Sequence, residues 1–325
     1  MKTLQAFVRA CVFAVAVVAA TGAQAQYPTR QVHLIVAYAA GGTGDAMARL
    51  ISDKLGAALG QTVIVENRAG ASGAIGSKAV TTAAPDGYTL LLGQTGEMSI
   101  NQHWLKDLGY DPDKDLLPVA LVGVVPLALS VPAKAPYSTL AEYLAFLKKG
   151  TPSTFASAGN GTPGYFAGEF LKAGTKSPMT HVPYKGAGPA LNDLIGGHVD
   201  MYFPGFAAVA PLMSSGKLKV LAVSSGVRSP AAPQIPTVAE ISGIKNFDFT
   251  LWGGVFAPRG TPKEIVDRLN TEINKILKSP DTAARFAEVG ADIRTGSAED
   301  FAKFVRAESE KYIEVIKQTG VKAEN

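Results

Sequence analysis

Histidine is the natural metal ligand and proton carrier at neutral pH, and this 325-residue chain has four: His33, His103, His181 and His198. No two stand at the spacing that sets imidazoles on one helix face, and the sole cysteine, Cys11, offers no thiolate set. Gly70-Ala71-Ser72-Gly73-Ala74 comes nearest to the turn that exposes a catalytic serine, but it lacks the closing glycine. Gly42-Thr43-Gly44-Asp45-Ala46-Met47 carries part of a dinucleotide-binding fingerprint and ends in methionine. No glycine loop runs into the Gly-Lys-Ser/Thr of a phosphate cradle. The expectation is a protein that is not an enzyme, with no catalytic residue, no metal and no cofactor.

The positive signal is glycine. Residues 41–45, 93–97 and 159–164 are glycine-rich loops that follow apolar runs and lead into helical patterns. Such loops let backbone N–H groups converge, and the helix that follows adds a partial positive charge of roughly half a unit. A nest of this kind binds an anion without a charged side chain. In open α/β sheets, ligands bind beyond the carboxyl ends of strands, where these loops gather. The candidates are Gly42, Thr43 and Gly44 in the first loop, Thr95 and Gly96 in the second, and Asn160 and Thr162 in the third. Gly42 is expected where the backbone approaches the ligand, in a conformation that favours glycine. Asp45 has two uses, capping a helix that begins at Ala46 or contacting ligand through water. Lys185 is either a carboxylate partner or an exposed turn lysine. Among Tyr38, Trp104, Phe203, Phe206 and Trp252, most belong to the core, and one or two wall a ligand.

Strands and helices must position these loops. Residues 32–37 (VHLIVA) are almost wholly apolar, as in a strand covered on both faces, and 61–66 and 88–93 read as further strands. Met47, Leu50, Ile51 and Leu55 make one face of an intervening helix. Alternation of this kind predicts an α/β sheet. The pattern resumes after an apolar run at 119–131, broken by Gly123 and Pro126, with strands near 154–157, 180–184, 199–203 and 218–223. Thr139 and Glu142 are spaced as a capping box, Thr261-Pro262-Lys263-Glu264 reads as a helix start with threonine as the cap, and a last helix starts near Ser297. The C-terminal helices have no strands between them and are expected to pack on the first sheet. The reading gives a first lobe of residues 26–126 plus 249–325 and a second of 127–248, with hinge crossings near Val124 and Thr250.

Residues 1–25 follow the grammar of an export signal: Lys2 and Arg9, eleven apolar residues at 10–20, then Ala23-Gln24-Ala25 as a cleavage site. Cleavage after Ala25 removes two positive charges and lowers the formal net charge from +4 to +2. That balance, with no Lys/Arg cluster, excludes a nucleic-acid footprint. The expected product is a monomer in the periplasm.

Several landmarks, taken in order, carry a resemblance. They are 27–30 (YPTR), 41–49 (GGTGDAMAR), 65–68 (VENR), 84–91 (APDGYTLL), 181–186 (HVPYKG), 196–200 (GGHVD) and 235–240 (IPTVAE). Along essentially the whole mature chain the sequence resembles the tripartite tricarboxylate transporter receptors of the Bug type. The resemblance implies a type II two-lobed periplasmic-binding-protein fold of the α/β class. Each lobe would be a mixed, mostly parallel sheet flanked by helices, with the ligand cleft between lobes. It implies a receptor that closes on a small carboxylate and hands it to membrane transporter subunits; a receptor that docks on a sensor kinase is the alternative. The family's ligand loops map onto Tyr38 through Asp45, Ser157 through Pro163, the Tyr184-Lys185-Gly186 turn and the strand end at Phe203-Pro204-Gly205. Two positions depart from the family pattern. Ala40 stands where proline is common, and Pro204 where aspartate is common, which disfavours an amino acid and leaves dicarboxylates and aromatic carboxylates.

Overall fold

The computed structural model describes residues 27–230, 232–288 and 290–322, so the export signal lies outside the described residues. Strand β1 (Val32–Val36) is parallel to β2 (Val63–Asn67) and to β3 (Thr89–Gln94). Val32, Leu34, Ile35 and Val36 are fully buried, which is why the run carries no polar alternation. Next come β4 (Leu116–Pro126), β10 (Thr250–Pro258) and β11 (Asp292–Ile293), and the six-stranded sheet has the order β11-β4-β10-β3-β1-β2. β10 runs antiparallel to both β3 and β4, so β1 to β4 share one direction and β10 and β11 the other.

The second sheet has the order β7-β6-β8-β5-β9, from β5 (Ala128–Pro132), β6 (Ser153–Ser157), β7 (Met179–Pro183), β8 (Met201–Tyr202) and β9 (Leu218–Val223). Only β5 is reversed. The fold is therefore the two-lobed periplasmic-binding-protein fold, with two mixed sheets in each of which most strands share one direction.

Helices α1 (Thr43–Leu59) and α2 (Ala74–Thr81) flank the first sheet. Met47, Ala48, Ile51 and Leu55 form the buried stripe of α1, which ends on Gly60 in the left-handed conformation. In the second lobe lie α3 (Leu140–Lys148), α4 (Pro163–Thr175), α5 (Ala187–Gly196) and α6 (Phe206–Ser214). α3 opens on the expected capping box of Thr139 and Glu142. α7 (Lys263–Leu277) departs from the expected start. Pro262 takes the cap position, and the Thr261 hydroxyl turns back to donate to the Pro258 carbonyl at 2.8 Å. α8 (Pro280–Glu288) follows, and α9 (Ala298–Thr319) begins with the capping box of Ser297 and Asp300.

α9 does more than cover the first sheet. Its Phe301 packs edge-on to Trp252 of β10, with ring centroids 6.0 Å apart, while its Tyr312 meets Phe166 of α4 at 5.5 Å. Trp104 likewise joins the second lobe's core against Tyr165 and Phe166. The sequence places α9 on the first sheet alone because its apolar stripe runs unbroken along 22 residues and carries no mark of where one partner ends.

The chain passes between sheets at Leu127, between β4 and β5, and again before β10. Ser224, fully buried, clasps both crossings: its hydroxyl accepts the Leu127 N–H at 3.0 Å and lies 2.5 Å from the Phe249 carbonyl. Its main chain pairs with Leu127 and Phe249 as well.

Candidate functional site

A cavity of about 770 Å³ opens between the two sheets, on loops that leave the carboxyl ends of β1, β3, β6 and β8. Among the described residues that line it, none is Asp, Glu, Lys, Arg or His. Tyr38, Gly42, Thr43, Gly44, Gly96, Asn160, Thr162, Gly186 and Phe203 all face it. Asp45, Thr95, Ser157, Lys185 and Pro204 do not line it.

The first loop joins β1 to α1. Gly41 adopts φ +83, a conformation that favours glycine, whereas Gly42 sits at φ −80 in extended backbone. The conformational demand expected at Gly42 therefore falls one residue earlier. α1 begins at Thr43 with Gly42 as its cap, three residues sooner than a helix capped by Asp45 would begin, and Asp45 sits in its first turn. From there its carboxylate accepts the Gly41 N–H at 3.0 Å and the Arg49 Nε at 3.0 and 3.1 Å. Burial raises the Asp45 pKa, but the Arg49 and Gly41 hydrogen bonds outweigh it, and the carboxyl stays below the usual carboxylate range. Arg49 also donates to Asn67 Oδ1, and Asn67 Nδ2 donates to the Tyr38 carbonyl at 3.0 Å. Asp45 thus fastens the loop from behind. The Thr43 and Gly44 N–H groups, in the first turn of α1, have no intrahelical acceptor and carry the positive end of its dipole. Gly44 leaves room for a neighbouring side chain. A Cβ there would lie 2.4 Å from the Gln94 carboxamide, which is packed over it.

In the second loop the fully buried Thr95 has another task. Its Oγ1 accepts the Trp252 N–H at 2.9 Å and donates to the Thr250 carbonyl at 3.3 Å, tying the turn to β10. Gly96 leaves room for the Tyr38 hydroxyl, 2.7 Å from where its Cβ would be.

The third loop joins β6 to α4. Gly159 has φ +132, and its carbonyl accepts hydroxyls from Ser157 at 3.0 Å and Thr162 at 2.8 Å. The Ser157 oxygen in turn accepts the Gly159 N–H at 3.1 Å and lies 2.7 Å from His181 Nε2. One arrangement satisfies every contact: His181 Nε2–H donates to Ser157, and Ser157 donates to Gly159. Burial, then the nearby Lys172, pushes the His181 pKa down to about 4, so the ring is neutral near pH 7. Thr162 caps α4, with Pro163 at its first position. Gly186 caps α5, and its N–H bonds the Ala158 carbonyl at 3.1 Å, joining two second-lobe loops. Lys185 is exposed, as the plainer of its two readings has it. Pro204 is buried and gives its carbonyl to the Ala128 N–H at 2.8 Å.

Sequence reasoning missed Ser72, Gln94, Asn101, Tyr202, Leu127 and Leu251, all in the lining. Ser72 holds φ +52 between glycines, with its carbonyl taking the Asn101 Nδ2 at 2.7 Å and the Tyr38 hydroxyl at 3.3 Å. The glycine run at 70–76 was a usable signal for Ser72. Leu127 and Leu251 reach the site from the crossings, which no local pattern marks. Of the five aromatic residues singled out, Tyr38 and Phe203 line the cavity; Trp104, Phe206 and Trp252 are core.

Two sheets joined by a clasped double crossing, with glycine loops facing an uncharged cleft, define a solute-binding protein. The chain belongs to the tripartite tricarboxylate transporter family of receptors, whose family model matches residues 47–321. It is 36% identical to Protein BugT of Bordetella pertussis over 299 residues, covering 91% of each chain. Among solved structures it is similar to R. palustris Rpa4515 with adipate, at 35% identity and TM-score 0.84, over 92% of this chain and all of that one. It is also similar to MatC of Rhodopseudomonas palustris with bound malate, at 34% identity and TM-score 0.78, over 89% of this chain and all of that one. The protein is a periplasmic solute-binding receptor of the Bug type.

Proposed function

We propose that the cleft captures a small organic acid, a dicarboxylate or an aromatic carboxylate, by closing its lobes, and that the loaded receptor delivers it to membrane transporter subunits. The observation that carries this reading is a cavity lined by N–H-rich loops and the starts of α1, α4 and α5, with no charged side chain among the described lining residues. Helix N-termini and loop amides recognise a carboxylate without the strong desolvation cost of burying a counter-ion. Leu127, Leu251, Tyr202 and Phe203 supply an apolar wall for a methylene chain or ring. No carboxylate among the described lining residues is placed to pair with a ligand ammonium, which supports acids without an amine.

In this reading residues 26–126 plus 249–325 and residues 127–248 close as two bodies about the Ser224 clasp. The ligand touches one lobe first and then bridges to the other, because the loops are divided between them. A thermal-shift screen against adipate, malate, benzoate, amino acids and sugars tests the ligand class, since binding to the folded state raises stability. At least one acid is expected to raise the melting temperature by several degrees; a sugar alone doing so would overturn the reading. Small-angle scattering should show the radius of gyration falling with that acid, and the acid should be recovered unchanged. Export is proposed to end with cleavage after Ala25, and an intact mass starting at Gln26 is the expected result.

A further inference from the structure

One buried carboxyl in the first lobe has no charged partner. Glu97 is fully buried in the short helical turn that follows Gly96, directly beneath the cavity lining. Its Oε1 accepts the Gln94 N–H at 2.7 Å, and its Oε2 has no hydrogen-bond partner. A Cβ built on Gly73 would lie 3.1 Å from Glu97 Cβ and 3.2 Å from the Tyr38 hydroxyl, so the two side chains converge on one point. The groups that bear on the carboxyl are all neutral. Tyr38 meets it from the first loop, Tyr110 lies near it with its hydroxyl 2.8 Å from the Glu97 carbonyl, and the remaining contacts are main-chain N–H groups. From α9, Val305 and Ser309 reach the same turn through Ser99 and Gln102. No cation is among the groups acting on it.

We propose that Glu97 is a positioning residue, held as a neutral carboxylic acid beneath the anion cradle, and that losing its proton releases the ligand. An ionised carboxylate here would sit in low dielectric with no cation among the groups that act on it, which disfavours the charged form. Burial accordingly pushes its pKa up to about 8, although its own backbone, the nearby Tyr38 hydroxyl and the Gln94 N–H favour the charged form. In the neutral form the Glu97 O–H is directed at the Tyr38 oxygen. Tyr38 then keeps its own O–H on the Ser72 carbonyl, which Asn101 also holds. Tyr38, Ser72 and Asn101 all line the cavity, so one proton holds three lining residues in register. Ionised Glu97 accepts the Tyr38 O–H instead, frees Ser72, and places a negative charge behind the site where a carboxylate must sit.

The inference rests on the carboxylate reading of the cleft, and the test separates the two. Adipate, the probe, is a dianion from pH 6.5 to 9.5, so its own charge does not change across that range. If only protonated Glu97 binds, apparent affinity falls by the protonated fraction, about 30-fold between those pH values. Calorimetry should show that fall in the native protein and a flat profile in Glu97→Gln, a neutral isostere that still accepts the Gln94 N–H. A flat native profile, or an equal fall in Glu97→Gln, overturns the proposal. Carbon-13 NMR of the assigned Glu97 carboxyl in the native, ligand-free protein needs neither variant nor ligand. A midpoint near 8 is expected, and one in the usual glutamate range refutes the neutral acid. Failure of adipate and malate to bind at pH 6.5 counts against the carboxylate reading, while the NMR midpoint still decides the state of Glu97.

Discussion

The two main glycine loops face one another across the cleft and are held in different ways. The first-lobe loop is fastened by an ion pair, Asp45 with Arg49, reinforced through Asn67. The second-lobe loop is fastened by neutral groups: Ser157, Thr162 and an uncharged His181 packed between Phe155 and Tyr165. Arg49 is about half exposed, so solvent screens its pair with Asp45, whereas the hydroxyl network under Gly159 is largely shielded. Similar anchoring of backbone N–H groups is thus reached with a charged latch on one side and a tautomer-dependent latch on the other. The two should fail under different conditions.

The largest expected effect separates the glycines. Gly159→Val forces a β-branched residue to φ +132 and should abolish binding of an organic acid, a loss above 100-fold, by distorting the second loop. Gly42→Val meets no such strain, since its φ is −80 and its Cβ would touch only the Ala39 carbonyl at 3.5 Å. It should fold with an unchanged melting temperature and lose affinity only because valine occupies the cleft. Equal melting temperatures for all three proteins would show that the second loop is not conformationally strained.

A smaller effect is expected at the charged latch. Asp45→Asn removes the charge that pairs with Arg49 and weakens the acceptor for the Gly41 N–H, costing roughly 1–3 kcal/mol of binding free energy. The loss should lie in the first loop, seen as faster hydrogen exchange at residues 38–45 with residues 157–164 unchanged. Faster exchange in both loops would mean that the latches are coupled.

The mildest test is pH. The folded His181 pKa is lowered to about 4 from an ordinary value near 6.5, so the unfolded chain takes up its proton first. Its stabilising effect is complete above pH 6.5 and is lost as pH falls toward 4. The Asp45 carboxyl, held below its ordinary value near 3.9, keeps its contribution until pH falls lower still. Exchange at residues 157–164 should therefore rise between pH 6.5 and 4 while residues 38–45 stay protected. Simultaneous loss would refute the distinction between the latches.

Sequence by itself determined what depends on near neighbours. The apolar run of β1, the capping boxes at Thr139 and Ser297, and the glycine loops are patterns closed within a few residues. Thr162 was legible as a residue of the third glycine loop and lines the cavity, whereas its cap of α4 was not read, although that cap and its bond to the Gly159 carbonyl both lie within three positions. Thr261 shows the limit of even local reading, since proline shifted the cap by one residue and sent the hydroxyl elsewhere.

Tertiary structure decided which loop residues face the cleft and which stand behind it. Thr95 and Ser157 sit within the glycine loops, yet their hydroxyls are consumed by β10 and by His181, partners far away in sequence. Ser72 and Asn101, 29 positions apart, become neighbours only when two β-strand ends converge. Leu127 and Leu251 enter because the chain crosses between lobes there. α9 spans both lobes because its stripe finds Trp252 at one end and Phe166 at the other. A residue type states what it can bond; only packing decides whether that bond is already made inside the fold or left for a ligand.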